Sequence, residues 1–134
     1  ADGEAPQSIL IRAGAVPALV KLLSGAERDQ VTTKAAASVL RNLAANNDRA
    51  QHAISQAGAI ALLIKLLRHQ DPGVQAQAAG ALGNLAGDSS ERHYEKQVAI
   101  ARAGAIPPLL LLLDGDTSEV REMGAASLRM LATN

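Results

Sequence analysis

The stretch AGAIPPLL, residues 103–110, is written three times in this 134-residue chain. It appears first as AGAVPALVKLL (13–23), again as AGAIALLIKLL (57–67), and last as AGAIPPLLLLL (103–113). Gly14, Gly58 and Gly104 stand 44 and then 46 residues apart. A second phrase follows each copy: VLRNLAAN (39–46), ALGNLAGD (81–88) and SLRMLATN (127–134). Self-similarity at this period predicts a stack in which each unit buries its apolar face only against its neighbours.

Each unit reads as two short helices and a longer third. In the first unit a short helix from about Pro6 runs through Ile9, Leu10 and Ala13 and stops at Gly14. Glycine takes the left-handed conformation at a helix end without steric cost. Pro17 is placed as the first residue of a second helix, where its missing N–H is not needed. Leu19, Leu22 and Leu23 give that helix its apolar stripe. Asp29 is the candidate N-cap of the third helix, about Val31 to Ala45.

The third helices carry matching stripes: Ala36, Leu40 and Leu43; Val74, Ala78, Leu82 and Leu85; Val120, Gly124, Leu128 and Leu131. Steps of four, four and three in the second and third sets, and of four and three in the first, keep each on one face. Counting back from Leu43 puts Thr32 where the other units have valine, so the first unit holds about two extra residues within SGAERDQ (24–30). Thr117 or Ser118 caps the last helix. The segment 87–97 either extends a first helix or forms a loop, and residues 1–5 read as a loose tail. The units are expected at about 6–46, 48–87 and 91–133, an all-α solenoid of three repeats with three helices each.

Composition narrows the function. Hydrophobic residues make up 48% of the chain, yet Phe and Trp are absent and Tyr94 is the one aromatic, so the core must be aliphatic. Thirteen acidic residues balance thirteen basic ones, which leaves no basic field and no stacking platform for nucleic acid. Without cysteine there are no disulfides or thiolate metal sites. The polar opening ADGEAPQS lacks the pattern of a signal peptide, and the apolar run 104–113 is too short to span a bilayer. Direct membrane insertion is therefore not expected. An intracellular protein, cytoplasmic or nuclear, is expected, and the absence of an initiating Met suggests part of a longer one.

The junction phrase with Ala-Gly-Ala-Ile/Val-Pro, followed by the phrase ending Leu-Arg-Asn-Leu-Ala, resembles the armadillo repeat from about Pro6 to Thr133. The resemblance implies a right-handed superhelix whose third helices line a concave groove. It also implies a role in holding other proteins, as in nuclear-import adaptors, catenin-related scaffolds, vacuolar-membrane scaffolds and U-box ubiquitin ligases.

No catalytic constellation is present, and neither an enzyme nor a cofactor is expected. His52, His69 and His93 fall in two first helices and a turn, as surface residues. Asp114 and Asp116 suggest the start of a calcium loop, but the required glutamate would fall at Ala125. Gly80, Gly83 and Gly87 lie in a helical pattern and not between a strand and a helix, so they form no nucleotide loop.

Asn42 and Asn84 are the stronger candidates. Asparagine costs about 0.6 kcal/mol against alanine inside a helix, so its recurrence at one repeat position asks for a reason. An amide donates and accepts at once, and so pairs with the N–H and C=O of an extended peptide. Stacked helices about 10 Å apart match every third residue of an extended chain at about 3.3 Å each. The other reading is that each amide bonds to a neighbouring helix end. In import adaptors, the resemblance implies, a tryptophan lies four residues before this asparagine; here Ser38, Gly80 and Ala126 stand there, and Met130 replaces the third asparagine. With Arg41 and Gln77 these residues make the expected binding surface, flat and weakly polar. Lys21 and Lys65 mark a solvent face where the third unit has Leu111. Leu111, Leu112 and Met130 are accordingly expected to form a self-association or repeat-stacking surface at the C-terminal end.

Overall fold

The structure, a computed structural model, describes residues 5–25, 29–45, 47–87 and 93–133. Nine helices occur among them, in three groups: α1 (Pro6–Arg12), α2 (Ala15–Ser24), α3 (Gln30–Ala44); α4 (Asp48–Gln56), α5 (Ala59–Leu66), α6 (Pro72–Ala86); α7 (His93–Arg102), α8 (Ile106–Leu112), α9 (Ser118–Ala132). The chain is an all-α solenoid of three units. The extra residues expected in the first turn, the middle of the 87–97 linker and most of the expected tail lie outside the described residues.

Gly14, Gly58 and Gly104 have φ of 88°, 82° and 100°, and each reverses the chain between the first and second helix of its unit. Because one left-handed residue makes the turn, α1 and α2 meet at a bend of 72° and α2 starts at Ala15. Pro17 is therefore the third residue of α2 and not the first, as expected from sequence. The position still suits it, since the first four N–H groups of a helix have no intrahelical partner.

The third helices start on side-chain caps. Asp29 Oδ1 accepts from Val31 N–H and Thr32 N–H at 3.0 and 3.2 Å. Asp71 accepts from Gly73 N–H at 2.8 Å, and Thr117, the cap of α9, from Val120 N–H at 3.1 Å. Below these caps the core is aliphatic, with Leu40, Ile54, Leu63, Leu82, Ile100 and Leu109 almost wholly buried. Burial of each such side chain contributes about 2 kcal/mol.

Helix α6 packs against α3 on one side and α9 on the other. Eleven of its fifteen residues are buried, against six in α3 and three in α9, which marks it as the inner member of the third-helix layer. Its small residues allow the close approach. A Cβ on Gly83 would lie 3.2 Å from the backbone Cα of Ser127. No single described helix is long and apolar enough to cross a membrane.

Candidate functional site

The layer of α3, α6 and α9 brings most of the expected binding residues together. Asn42 is exposed on α3, and Asn84 is half-buried on α6. The Asn84 amide donates to the main-chain carbonyl of Arg41 at 2.8 Å. Arg41 is among the last four residues of α3, whose carbonyls have no partner within the helix. Asn84 thus ties two units together and is held in one orientation. Its Oδ1 and second N–H stay outside that bond.

The Arg41 side chain then lies along α6. Its guanidinium donates to Gln77 Oε1 at 3.1 Å. A Cβ on Gly80 would meet Arg41 Cδ and Nε at 2.7 Å and Met123 Cε at 2.8 Å, so the absence of a side chain there makes the seat for both. Where the resemblance implies an aromatic, this chain places the stem of an arginine. Ser38 and Ala126, at the same position in the other units, are half-buried. Met130 turns away from this cluster and rests on the end of α6, where a Cβ on Gly87 would meet its Sδ at 2.5 Å.

The charge on the layer is uneven. Helix α6 carries no charged residue, and α3 carries Lys34 and Arg41 but no carboxylate. The Lys34 stem lies over Gly73. Helix α9 is mixed, with Glu119, Glu122, Arg121 and Arg129 exposed. Lys34 and Arg41 are therefore the charged residues within these two helices, with the capping carboxylates of Asp29 and Asp71 at their N-terminal ends. At the start of α3 the Thr32 hydroxyl, with its backbone N–H, holds the Asp29 carboxyl below its ordinary value.

Leu111 and Leu112, expected together in the end surface, separate. Leu111 is 62% exposed. Leu112 is buried, because its Cβ occupies the space that a side chain on Gly124 would need. Leu112 is thus core and does not contribute to an end surface.

Two glutamines were not singled out from the sequence. Gln51 is buried, and its amide donates to the carbonyls of Ala44 at 2.8 Å and Asn84 at 3.2 Å, which caps the ends of α3 and α6. Gln97 donates to the carbonyls of Met130 at 2.7 Å and Thr133, both at the end of α9, and so caps one helix within its own unit. The signal was available: Gln7, Gln51 and Gln97 each stand seven residues before the junction glycine. Lys96 completes the Gln51 site by donating to its Oε1 and to Asp48 at 2.5 Å each. This pairing closes one side of a cleft of about 450 Å³ between α4 and α7, which Leu85 of α6 also lines. No group of three or more His, Asp or Glu that could hold a metal ion occurs among the described residues.

The family model described as Armadillo/beta-catenin-like repeat matches residues 4–45 and 46–87, most of the chain and two of its three units. The chain belongs to the armadillo repeat family. Vacuolar protein 8 of Schizosaccharomyces pombe is 34% identical over 128 residues, covering 96% of this chain and 22% of that protein. Importin subunit alpha-6 of Arabidopsis thaliana is 37% identical over 84 residues, covering 63% of this chain and 15% of that protein. The chain thus spans less than a quarter of these relatives. Among solved structures, a designed armadillo repeat protein in complex with the peptide (KR)4 superposes with a TM-score of 0.83 at 31% identity, over 92% of this chain and 49% of that one. Computationally designed armadillo repeat proteins for modular peptide recognition superpose with a TM-score of 0.82 at 34% identity, over 92% of this chain and 50% of theirs.

Proposed function

We propose that this armadillo chain is an intracellular, non-catalytic binding module that holds an extended segment of a partner protein on its third-helix layer. The observation that carries the reading is the pre-oriented amide of Asn84, fixed by the Arg41 carbonyl with Oδ1 and one N–H to spare. Asn42 offers a second amide at the same repeat position, exposed on α3. Peptide binding by armadillo proteins of the same shape, including the designed one solved with (KR)4, supports it.

The side chains around the amides argue for a different ligand from that basic peptide. Arg41, half-buried beside Asn84, and Lys34 are the charged residues within α3 and α6, and no aromatic stands at Ser38, Gly80 or Ala126 to flank a lysine stem. An extended segment bearing Asp or Glu fits better, with its main chain on the amides and a carboxylate on Arg41. Fluorescence anisotropy with labelled (DE)4 and (KR)4 peptides tests this. The acidic peptide should bind more tightly and weaken as salt is raised. Asn42→Ala with Asn84→Ala should cost about 1–3 kcal/mol, or about 5- to 150-fold in Kd. Tighter binding of (KR)4, or acidic binding untouched by the double variant, would rule the reading out.

A further inference from the structure

The cleft between α4 and α7 lies at a junction inside the chain, and the preceding junction shows why it is open. Helix α1 packs closely on α4, as α4 and α7 do not pack on each other. In α1, Ile11 stands where α4 has Ser55, and it rests on the core. In α4, Ala50 is fully buried where α7 has Lys96. Both differences leave space between α4 and α7. Ser55 is too short to fill it, and the Lys96 side chain bridges across to Asp48 and Gln51 as a strut.

The open space has an apolar floor and a charged mouth. Ile60, Leu85 and Ile100 form the floor, and Leu85 and Ile100 are almost wholly buried beneath it. Arg49 and His52 line the α4 wall, and Glu95 lines the α7 wall. Lys96 is paired with Asp48, whereas Arg49, His52 and Glu95 hold no hydrogen bond or ion pair among the described residues. A cation and an anion thus face each other unpaired across one apolar floor.

Size decides what kind of occupant this is. A volume of about 450 Å³ falls within the range of about 300–1,000 Å³ in which small molecules bind. A stable protein partner covers about 800 Å² on each side, far more than these few residues present. We propose that this cleft binds a small zwitterion with an apolar body, of the chemistry of a free apolar amino acid. Its side chain lies on Ile60, Leu85 and Ile100. Its carboxylate meets the Arg49 guanidinium and a ring N–H of His52, and its ammonium meets the Glu95 carboxylate. The site is separate from the amides of Asn42 and Asn84 and does not depend on a peptide there.

Amide NMR spectra of the 134-residue chain, titrated with L-leucine and L-phenylalanine to millimolar concentration, provide the test. The resonances of Ser55, Ala99 and Ile100 should shift and saturate, while those of Lys34 and Gly80 on the third-helix layer stay in place. Leucinamide lacks the carboxylate and N-acetylleucine lacks the ammonium. Each should bind about 5-fold more weakly than leucine, as for an exposed ion pair at the strong end of its range. Arg49→Gln should close the gap between leucine and leucinamide, and Glu95→Gln that between leucine and N-acetylleucine. Ser55→Ile supplies the side chain that Ile11 provides in the first unit, and should abolish saturation. Circular dichroism checks that this variant is folded, and Ala99→Ile, after Ile9, replaces it if it is not. The proposal is overturned if neither amino acid gives saturable shifts, or if the shifts fall on the third-helix layer. Equal binding without one of the charges, or saturation that survives Ser55→Ile, would overturn it as well.

Discussion

The amide of Asn84 donates to the carbonyl of Arg41 at 2.8 Å, across the seam between α6 and α3. This one bond gives the two recurring asparagines different roles in stability. The Asn42 side chain, by contrast, is exposed on α3. Asn42→Ala should therefore raise stability by about 0.6 kcal/mol, the helix-propensity gain. Asn84→Ala makes the same gain but loses a hydrogen bond of about 1 kcal/mol, so its net effect is a small loss. Urea melts of the two single variants check the order. Equal shifts would mean that the Arg41 bond adds nothing.

The mid-helix glycines of α6 should separate in the same way. A Cβ on Gly83 would press on the backbone Cα of Ser127 at 3.2 Å, and two packed helices would have to part to admit it. A Cβ on Gly80 would meet only the movable stems of Arg41 and Met123. Gly83→Ala should cost about 1 kcal/mol, since overpacking of about 1–3 kcal/mol outweighs a propensity gain of about 1 kcal/mol. Gly80→Ala should leave stability level or raise it. Thermal denaturation of both settles the comparison, and a destabilised Gly80→Ala beside a neutral Gly83→Ala would reverse it.

The unit boundaries and the caps Asp29 and Thr117 were legible because glycine, proline and short polar side chains act locally. What decides the site was less so. That Asn84 meets Arg41 depends on how two units register, which no window of one unit contains. The five leucines 109–113 cover every direction around α8, so sequence alone could not separate buried Leu112 from exposed Leu111 and Leu113. The missing side chain of Gly124 sets that phase by seating Leu112. The recurring glutamine was visible as a repeat, but a polar residue in a short helix does not announce that it is buried.

Gln51 is the more exacting test of the junction. Its amide serves the carbonyls of Ala44 and Asn84, and its oxygen accepts from Lys96. Gln51→Leu keeps most of the volume but leaves those groups without their partner. Buried polar groups left unpaired cost about 1–3 kcal/mol each, so a loss of about 2–3 kcal/mol is expected in chemical denaturation. Gln7→Leu, at the same position in the first unit but only half-buried, should change stability by less than about 0.5 kcal/mol. Similar losses at both sites would refute a capping role specific to the junctions.

Ser127 gives an improvement in place of a loss. It is 1% exposed, and its hydroxyl has no hydrogen-bond partner among the described residues. It lies against Gly83, and the second unit has Ala81 at the same position. Ser127→Ala removes an unpaired buried hydroxyl and adds helix propensity, so stability should rise by about 1 kcal/mol. A melting temperature that falls would show that the hydroxyl has a partner after all.

Asp29 makes part of this fold sensitive to acid. The Thr32 hydroxyl and N–H, with a smaller effect from the Val31 N–H, favour its charged form and hold its pKa below the ordinary aspartate value. A carboxyl lowered on folding binds protons more readily when unfolded. Its stabilising effect is therefore complete above the unfolded pKa and is lost as pH falls through the folded one. The substitution Asp29→Asn keeps an oxygen that can cap the helix but removes the group that titrates in this range. The melting temperatures of the parent chain and Asp29→Asn should differ by a constant amount from pH 7 to about pH 5. The difference should shrink as the pH drops below about 4. A difference that persists unchanged at about pH 2, below the usual carboxylate range, would mean that the carboxylate charge at this cap contributes nothing to folding.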